Sequence, residues 1–277
     1  MAARRAHTIR RQRSSGIVRY AAPALEKGLD VLELLASVSE GLTHSEIART
    51  MGRTVSEVFR MLVCLEQRGY ISRTGTDERY RLTLKLFEVV HRYPPLERLV
   101  ILARPLMQQV AHSTGQSCHL AMLNSAEVVV VEQVDAPGKM GFSVRLGANI
   151  DVLNTASGHV ILAFQTEDVR TRALELWRRR SRKPLPARLK PHLHQILHRG
   201  YEELPSYQVH GIVNISYPVL NQHGHAIAAM AVPYLGHIDR EVGPPLVKEA
   251  LASSSEALSR AIGWRKSPKL TLGTSDS

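Results

Sequence analysis

The sequence predicts an α+β protein in two parts: a small N-terminal unit of helices closed by a hairpin, then a larger unit mixing helices and strands. Three observations carry this. Between Ala24 and Leu84, two Thr-x-x-Glu helix starts stand either side of a glycine, and a basic hairpin follows a further glycine. Beyond Pro94-Pro95, helical and strand-like apolar segments interchange as far as Ile262. A length of 277 residues suits a small unit plus a larger one, each burying its own core.

The first helix is expected from Ala24 to about Val38, with Leu25, Leu29, Leu32 and Leu35 on one face and Gly41 as its end. Thr43-His44-Ser45-Glu46 has the form of a capping box, in which hydroxyl and carboxylate each satisfy an orphan amide, and Ile47, Ala48 and Met51 supply a buried face. Gly52 breaks this short helix. Thr54-Val55-Ser56-Glu57 repeats the cap before Val58, Met61, Leu62 and Leu65, and Gly69 closes the third helix. Tyr70-Ile71-Ser72-Arg73 and Arg79-Tyr80-Arg81-Leu82 flank a turn-rich Thr74-Gly75-Thr76-Asp77-Glu78, which reads as a β-hairpin.

That order is a winged helix-turn-helix, a fold that lays its third helix in the DNA major groove and its hairpin along phosphates. Candidate DNA contacts are Thr43, His44 and Ser45 at the second helix start and Arg53, Thr54, Val55, Ser56, Glu57 and Arg60 at the third. Arg73, Arg79 and Arg81 on the wing complete the set. Glu57 has two readings, an acceptor for cytosine N4 or the cap partner of Thr54.

Leu82 to Tyr93 reads as a linker helix that stops before the prolines. Leu96 to about Ser113 follows as an amphipathic helix that Pro105 is expected to bend. Strands are expected over 117–123 and 127–133, then a glycine-broken segment over 139–150 and a helix over 156–164. Helices near 167–179 and 187–199, strands near 212–219 and 226–233, and a closing helix from Glu241 to Ile262 complete the second unit.

A formal charge of +11 and a pI near 10.0 favour a polyanionic partner. Residues 1–23 form a basic arm expected to be disordered, as is the tail over 264–277. Arg178-Arg179-Arg180-Ser181-Arg182-Lys183 reads as a solvated loop. No secretory core and no run of the ~18 apolar residues that a membrane helix needs is found. Cys64 and Cys118 make no disulfide framework, so a cytoplasmic protein with two small buried thiols is expected.

Thirteen histidines raise metal and catalytic readings. His194 and His198 share a helix face with His192 near, but the glutamate of a zinc-protease helix is missing and no further ligands are evident, so no metal is expected there. His159 follows Ser157-Gly158 without a nucleophile elbow, so no catalytic residue, enzyme activity or cofactor is expected. Leu153, Asn154, Thr155, Ala156 and Ser157 open a helix with free amides and hydroxyls, which suits either an ordinary cap or an anion site.

Ala24-Leu25-Glu26-Lys27-Gly28-Leu29-Asp30-Val31-Leu32-Glu33-Leu34-Leu35 and Gly41-Leu42-Thr43-His44-Ser45-Glu46-Ile47-Ala48 resemble the IclR family of bacterial transcription regulators. So do Glu66-Gln67-Arg68-Gly69-Tyr70-Ile71, Ala103-Arg104-Pro105-Leu106-Met107, Gly115-Gln116-Ser117-Cys118-His119-Leu120-Ala121, Arg199-Gly200-Tyr201 and Ile215-Ser216-Tyr217-Pro218-Val219. The resemblance spans roughly residues 24 to 262. It implies a DNA-binding domain over 24–82, a linker helix over 83–95, and a GAF-like effector-binding and oligomerisation domain over 96–263. It also implies a palindromic double-stranded DNA operator, a small-molecule effector, and a homodimer or homotetramer.

In the family, the matching Leu153–Ser157 loop lines the effector pocket with positions here held by Ile150, Leu204, Ile212, Asn214, Ala231 and Pro233. Members that bind small oxoacids tend to carry a cysteine at the position of Asn214, an acid near Leu204, and serines near Ala231 and Pro233. This chain is less polar at three of these places and gains an amide, which suits a bulkier or aromatic carboxylate as well as a short oxoacid. Many members also carry Lys and Thr where this chain has Val55 and Glu57, so its operator need not match theirs. The expected function is a ligand-modulated, sequence-specific transcriptional regulator, repressor or activator. The alternatives are a metabolic enzyme with a DNA-binding arm and a non-specific architectural DNA protein.

Overall fold

The computed structural model describes residues 22–74, 78–91, 94–139, 141–236 and 242–265. The chain divides into two compact units, residues 1–93 and 94–277. Of the expected arm over 1–23 and tail over 264–277, residues 1–21 and 266–277 lie outside the described residues, as does the wing tip over 75–77, while Pro23 already belongs to the first helix.

In the first unit, helices α1 (Pro23–Ala36), α2 (His44–Thr50) and α3 (Val55–Gln67) precede the antiparallel strands β1 (Ile71–Thr74) and β2 (Arg79–Leu82) and helix α4 (Lys85–His91). Both capping boxes form, with the hydroxyls of Thr43 and Thr54 accepting from the amides of Glu46 and Glu57 and each carboxylate accepting from the cap amide in return. Val31, Leu35, Ile47, Ala48, Val58, Leu62, Ile71 and Tyr80 make the core.

The face of α1 differs from the expectation. Leu25 and Leu29 are 63% and 49% exposed, and Gly28, Val31 and Leu35 are the buried row. A helical period marks a stripe but not its centre, and one position is ~100° of rotation. Gly41 does not end α1 either, because the helix stops at Ser37, whose hydroxyl donates to the Leu34 carbonyl at 2.7 Å. Gly41 has φ +73°, and a Cβ there would stand 2.6 Å from the Tyr80 carbonyl oxygen. It lets the chain cross β2, where Leu42 and Tyr80 exchange backbone hydrogen bonds at 2.8 and 3.1 Å. Cys64 is exposed rather than buried. It sits on α3 two residues past the buried Leu62, turned well away from the packed face.

The second unit opens with α5 (Pro94–Thr114), helical throughout despite Pro105. Its sheet has six antiparallel strands in the order β5 (Asn149–Asp151), β4 (Glu127–Val134), β3 (Cys118–Asn124), β8 (Ala226–Leu235), β7 (Ile212–Leu220), β6 (Glu202–Pro205). One face packs α5 and the closing helix α9 (Pro244–Ala261) through Leu99, Met107, Leu251 and Leu258. The other packs α6 (Ala156–Ala163), α7 (Glu167–Ser181) and α8 (Leu189–Arg199) through Val160, Ile161, Trp177, Leu193 and Ile196. Strand β6 was not expected. Its four residues are too few to show a period of two. Arg178, Arg179 and Arg180 belong to the last turn of α7 rather than to a loop, where they complement the helix dipole and stay exposed.

Candidate functional site

The first candidate site is the exposed start of α3. Val58 and Leu62 anchor that helix in the core, which turns Arg53, Thr54, Val55, Ser56 and Arg60 outward. The side chains of Arg53 and Arg60 make no hydrogen bond or ion pair among the described residues. Ser45 is exposed at the start of α2, and the His44 Nε2 donates to the Val55 carbonyl at 2.8 Å, joining the two helix starts.

Glu57 is held by the cap and by Lys27 Nζ at 2.9 Å. The Lys27 hydrogen bond, followed by the amide and hydroxyl of Thr54, lowers its carboxyl from 4.5 to about 2. The wing arginines have partners as well. Arg73 pairs with Glu66 at 3.1 Å and lies over the Tyr80 ring, and Arg79 pairs with Glu46 at 3.0 Å. Arg81 donates to the Glu40 carbonyl at 3.1 Å. Of the arginines expected to touch DNA, those without a partner among the described residues are thus Arg53 and Arg60 at the third-helix start and not those of the hairpin.

The second candidate site lies at the start of α6. Asp151 organises the turn before it, accepting from the amides of Leu153 at 2.8 Å and Asn154 at 3.1 Å on one oxygen and from the Trp177 indole at 2.9 Å on the other. Thr155 then caps α6, donating to the Asp151 carbonyl at 2.8 Å and accepting from the Gly158 amide at 3.2 Å. Gly158 is needed here, since a Cβ would meet the Val152 carbonyl oxygen at 2.1 Å.

Sheet register brings the other expected residues to the same face, because directly paired residues point to the same side. Leu204, Asn214 and Pro233 form one row across β6, β7 and β8. Glu202, Ser216, Ala231 and His119 form the next, and Ile212 pairs with Leu235 at the end of β7. A cavity of about 50 Å³ is lined by Ile150, Thr155, Ala156, Ser157 and Asn214, together with His119, Phe142, Val144, Ser206, Tyr207 and Gln208. Leu153, Asn154, Leu204, Ile212, Ala231 and Pro233 are near in sequence or register but do not line it. A larger groove of about 300 Å³ runs between α7 and α8, lined by Glu167, Arg170, Lys190, Leu193, His194 and Leu197 with Ala163. None of the residues expected to line the effector pocket is in it, so the smaller cavity is the better candidate.

Sequence reasoning missed His119. Burial lowers its imidazole to about 4, so it is neutral at pH 7, and its buried Nδ1 has no hydrogen-bond partner among the described residues. A lone histidine in an apolar strand carries no signal of this; only the pairing of β3 with β8 reveals it. Ser157 does not pair with His159 as a nucleophile would. Its hydroxyl accepts from Ser216 at 3.3 Å.

Missed too was Glu202, 1% exposed. Arg199 and His192 donate to its carboxylate at short range, the Glu203 amide donates at 2.8 Å, and His159 Nδ1 stands 3.3 Å away. Burial pushes this carboxyl up, but the His159 contact with Arg199 and His192 outweighs it and holds it below the usual range.

Two family profiles match the chain, the IclR helix-turn-helix domain over residues 24–75 and the bacterial transcriptional regulator IclR C-terminal domain over residues 95–260. The chain is 28% identical over 213 residues to the HTH-type transcriptional regulator KdgR of Escherichia coli, covering 75% of this chain and 80% of that protein. It is 28% identical over 247 residues to the regulator XynR of the same species, covering 87% and 97%. Among solved structures, the Thermotoga maritima IclR superposes with a TM-score of 0.68 at 26% identity, covering 87% and 98% of the two chains. An IclR homologue of Microbacterium hydrocarbonoxydans complexed with 4-hydroxybenzoate does so with a TM-score of 0.71 at 24% identity, covering 86% and 98%.

Proposed function

The chain belongs to the IclR family of bacterial transcriptional regulators, and from that premise we propose that it reads its operator with the exposed start of α3 and senses a carboxylate in the cavity at the start of α6. The observation that carries the sensing half is the convergence of polar residues on one small cavity: Thr155 and Ser157 at the start of α6, Asn214, and His119, whose buried Nδ1 has no partner among the described residues. Helix-start amides suit an anion, and Ile150, Phe142 and Val144 supply the apolar wall that an aromatic or branched body needs.

At about 50 Å³ the cavity is well below the ~300–1,000 Å³ of ordinary ligand pockets. A carboxylate therefore enters by displacing the segment over 206–211, which lies outside regular structure and contributes Ser206, Tyr207 and Gln208 to the wall. On the DNA side, Arg53 and Arg60 supply the first contacts, while Arg73, Arg79 and Arg81 reach phosphates only by sharing or leaving their present partners.

The regulator acts as a dimer or a dimer of dimers on a palindromic operator, with half-sites one helical turn, ~34 Å, or a multiple of it apart. Effector shifts operator affinity by as much as its own affinity differs between the DNA-competent and DNA-incompetent arrangements. It works in the cytoplasm, and no described helix is long and apolar enough to cross a membrane.

Calorimetric titration with 4-hydroxybenzoate and with a short oxoacid, on wild type and on Ser157→Ala and Asn214→Ala, tests the pocket. Saturable binding of one acid that both substitutions weaken is expected. Binding that neither changes would place the effector elsewhere.

A further inference from the structure

The pairing of His159 is unusual. Its Nε2 lies 2.8 Å from the Leu153 carbonyl, which only accepts, so that nitrogen carries a proton. Its Nδ1 lies 3.3 Å from Glu202 Oε2, and an ionised carboxylate oxygen also only accepts. Both ring nitrogens thus face acceptors, in a place where His159 and Glu202 are 7% and 1% exposed. His192 brings its Nε2 to the same carboxylate oxygen, and the three atoms lie within 4.8 Å of one another. None of these residues lines the cavity described above.

We infer that His159, His192 and Glu202 form a binding site for a divalent transition cation of the zinc class, with solvent as its fourth ligand. Two imidazole nitrogens and a carboxylate oxygen are a donor set that zinc takes, and a bound cation replaces the protons that otherwise hold the two rings to the carboxylate. The 3.3 Å between His159 Nδ1 and Glu202 Oε2 matches the edge of a tetrahedron whose metal–ligand bonds are ~2.0–2.1 Å, and the half-buried His192 ring must shift to complete the other two edges.

The partners behind the ligands suit this role. Leu153 fixes the His159 tautomer that leaves Nδ1 bare, while Arg199 and the Glu203 amide hold the other oxygen of Glu202. His192 is half-buried and opens the site to solvent, which gives the cation a way in. Bound there, it ties α6, α8 and β6 together and braces the Leu153 carbonyl in the turn before α6.

The test uses the full chain stripped with a chelator and titrated with Zn²⁺ alone by calorimetry and with Co²⁺ alone by visible absorption. One Zn²⁺ per chain and the intense bands of four-coordinate Co²⁺ are expected. His192→Ala should weaken the affinity at least ~10-fold, since even partners behind a ligand cost that much. The double substitution His194→Ala, His198→Ala should leave it unchanged, which separates this site from the exposed histidine pair on α8. His192 is only half-buried, so the variant's folding is checked by its tryptophan fluorescence. Zn²⁺ binding that survives His192→Ala, or that disappears with the His194 and His198 pair, would overturn the proposal. So would a wild type that takes no Zn²⁺ and shows His159 doubly protonated by nitrogen-15 resonance, leaving a plain ion pair. The titration uses neither DNA nor carboxylate, so its failure leaves the regulatory reading untouched.

Discussion

Lys27 Nζ lies 2.9 Å from Glu57 Oε1, so a cation of α1 holds the carboxylate that caps α3, the helix proposed to read DNA. The carboxylate that caps the helix is therefore already engaged. Glu57→Gln is expected to weaken operator binding equally across operator variants, because it loosens the helix start rather than removing a base contact. Loss of discrimination at a single base pair would show instead that Glu57 reads cytosine.

The same pairing sets a pH dependence. Glu57 titrates at about 2 in the fold against an ordinary value of 4.5. A depressed carboxyl stabilises the fold fully above its ordinary value and loses that contribution as pH falls through the folded one. Acid unfolding of the first unit, followed by far-ultraviolet dichroism, should therefore steepen between those two values in wild type and flatten in Glu57→Gln.

Arg60 is exposed and makes no ion pair among the described residues, whereas Arg73 is paired with Glu66. Arg60→Ala is expected to cost ~1–3 kcal/mol of operator affinity and to relax base preference nearby. Arg73→Ala should reduce the salt dependence without changing preference. Fluorescence anisotropy at several salt concentrations separates the two.

Gly158→Ala drives a methyl into the Val152 carbonyl, which is backbone and has no rotamer to escape by. We expect a loss of ~1–3 kcal/mol in the second unit. Both tryptophans, Trp177 and Trp264, lie in that unit, so urea unfolding followed by their emission reads it directly.

Asp151→Ala removes the acceptor for two amides and the Trp177 indole together. A loss of ~1–3 kcal/mol is expected, with a red shift in tryptophan emission as the indole loses its partner. An unshifted spectrum would mean that the turn holds itself.

The helices of the reader were legible because their starts carry local chemistry. Thr43, Glu46, Thr54 and Glu57 close both caps within four residues, so no tertiary knowledge is needed. The buried face of α1 was less legible, since Leu25 and Leu29 have the period of a core row and only the packing against α3 selects Gly28, Val31 and Leu35. In the second unit, helix and strand positions followed from periodicity, but β6 is short and its pairing with β7 is long-range.

The pocket was half legible. Thr155 and Ser157 announce a helix start, whereas His119 joins them only through strand order. The Glu202 cluster was invisible for the same reason. His159 and His192 lie 33 residues apart, and the carboxylate between them belongs to a strand the periodicity does not mark. The sequence's own histidine pair, His194 and His198, has its rings 5.2 Å apart on the exposed side of α8, away from that carboxylate.

The measurement that tests the central claim most directly is binding of the full chain to its own upstream intergenic DNA against a scrambled duplex. It should be made at near-physiological salt, with and without a panel of aromatic, sugar-derived and short-chain acids. The account predicts specific binding to the intergenic duplex that one acid shifts and that Ser157→Ala makes insensitive to that acid. Equal binding to both duplexes, unmoved by any acid, would contradict it.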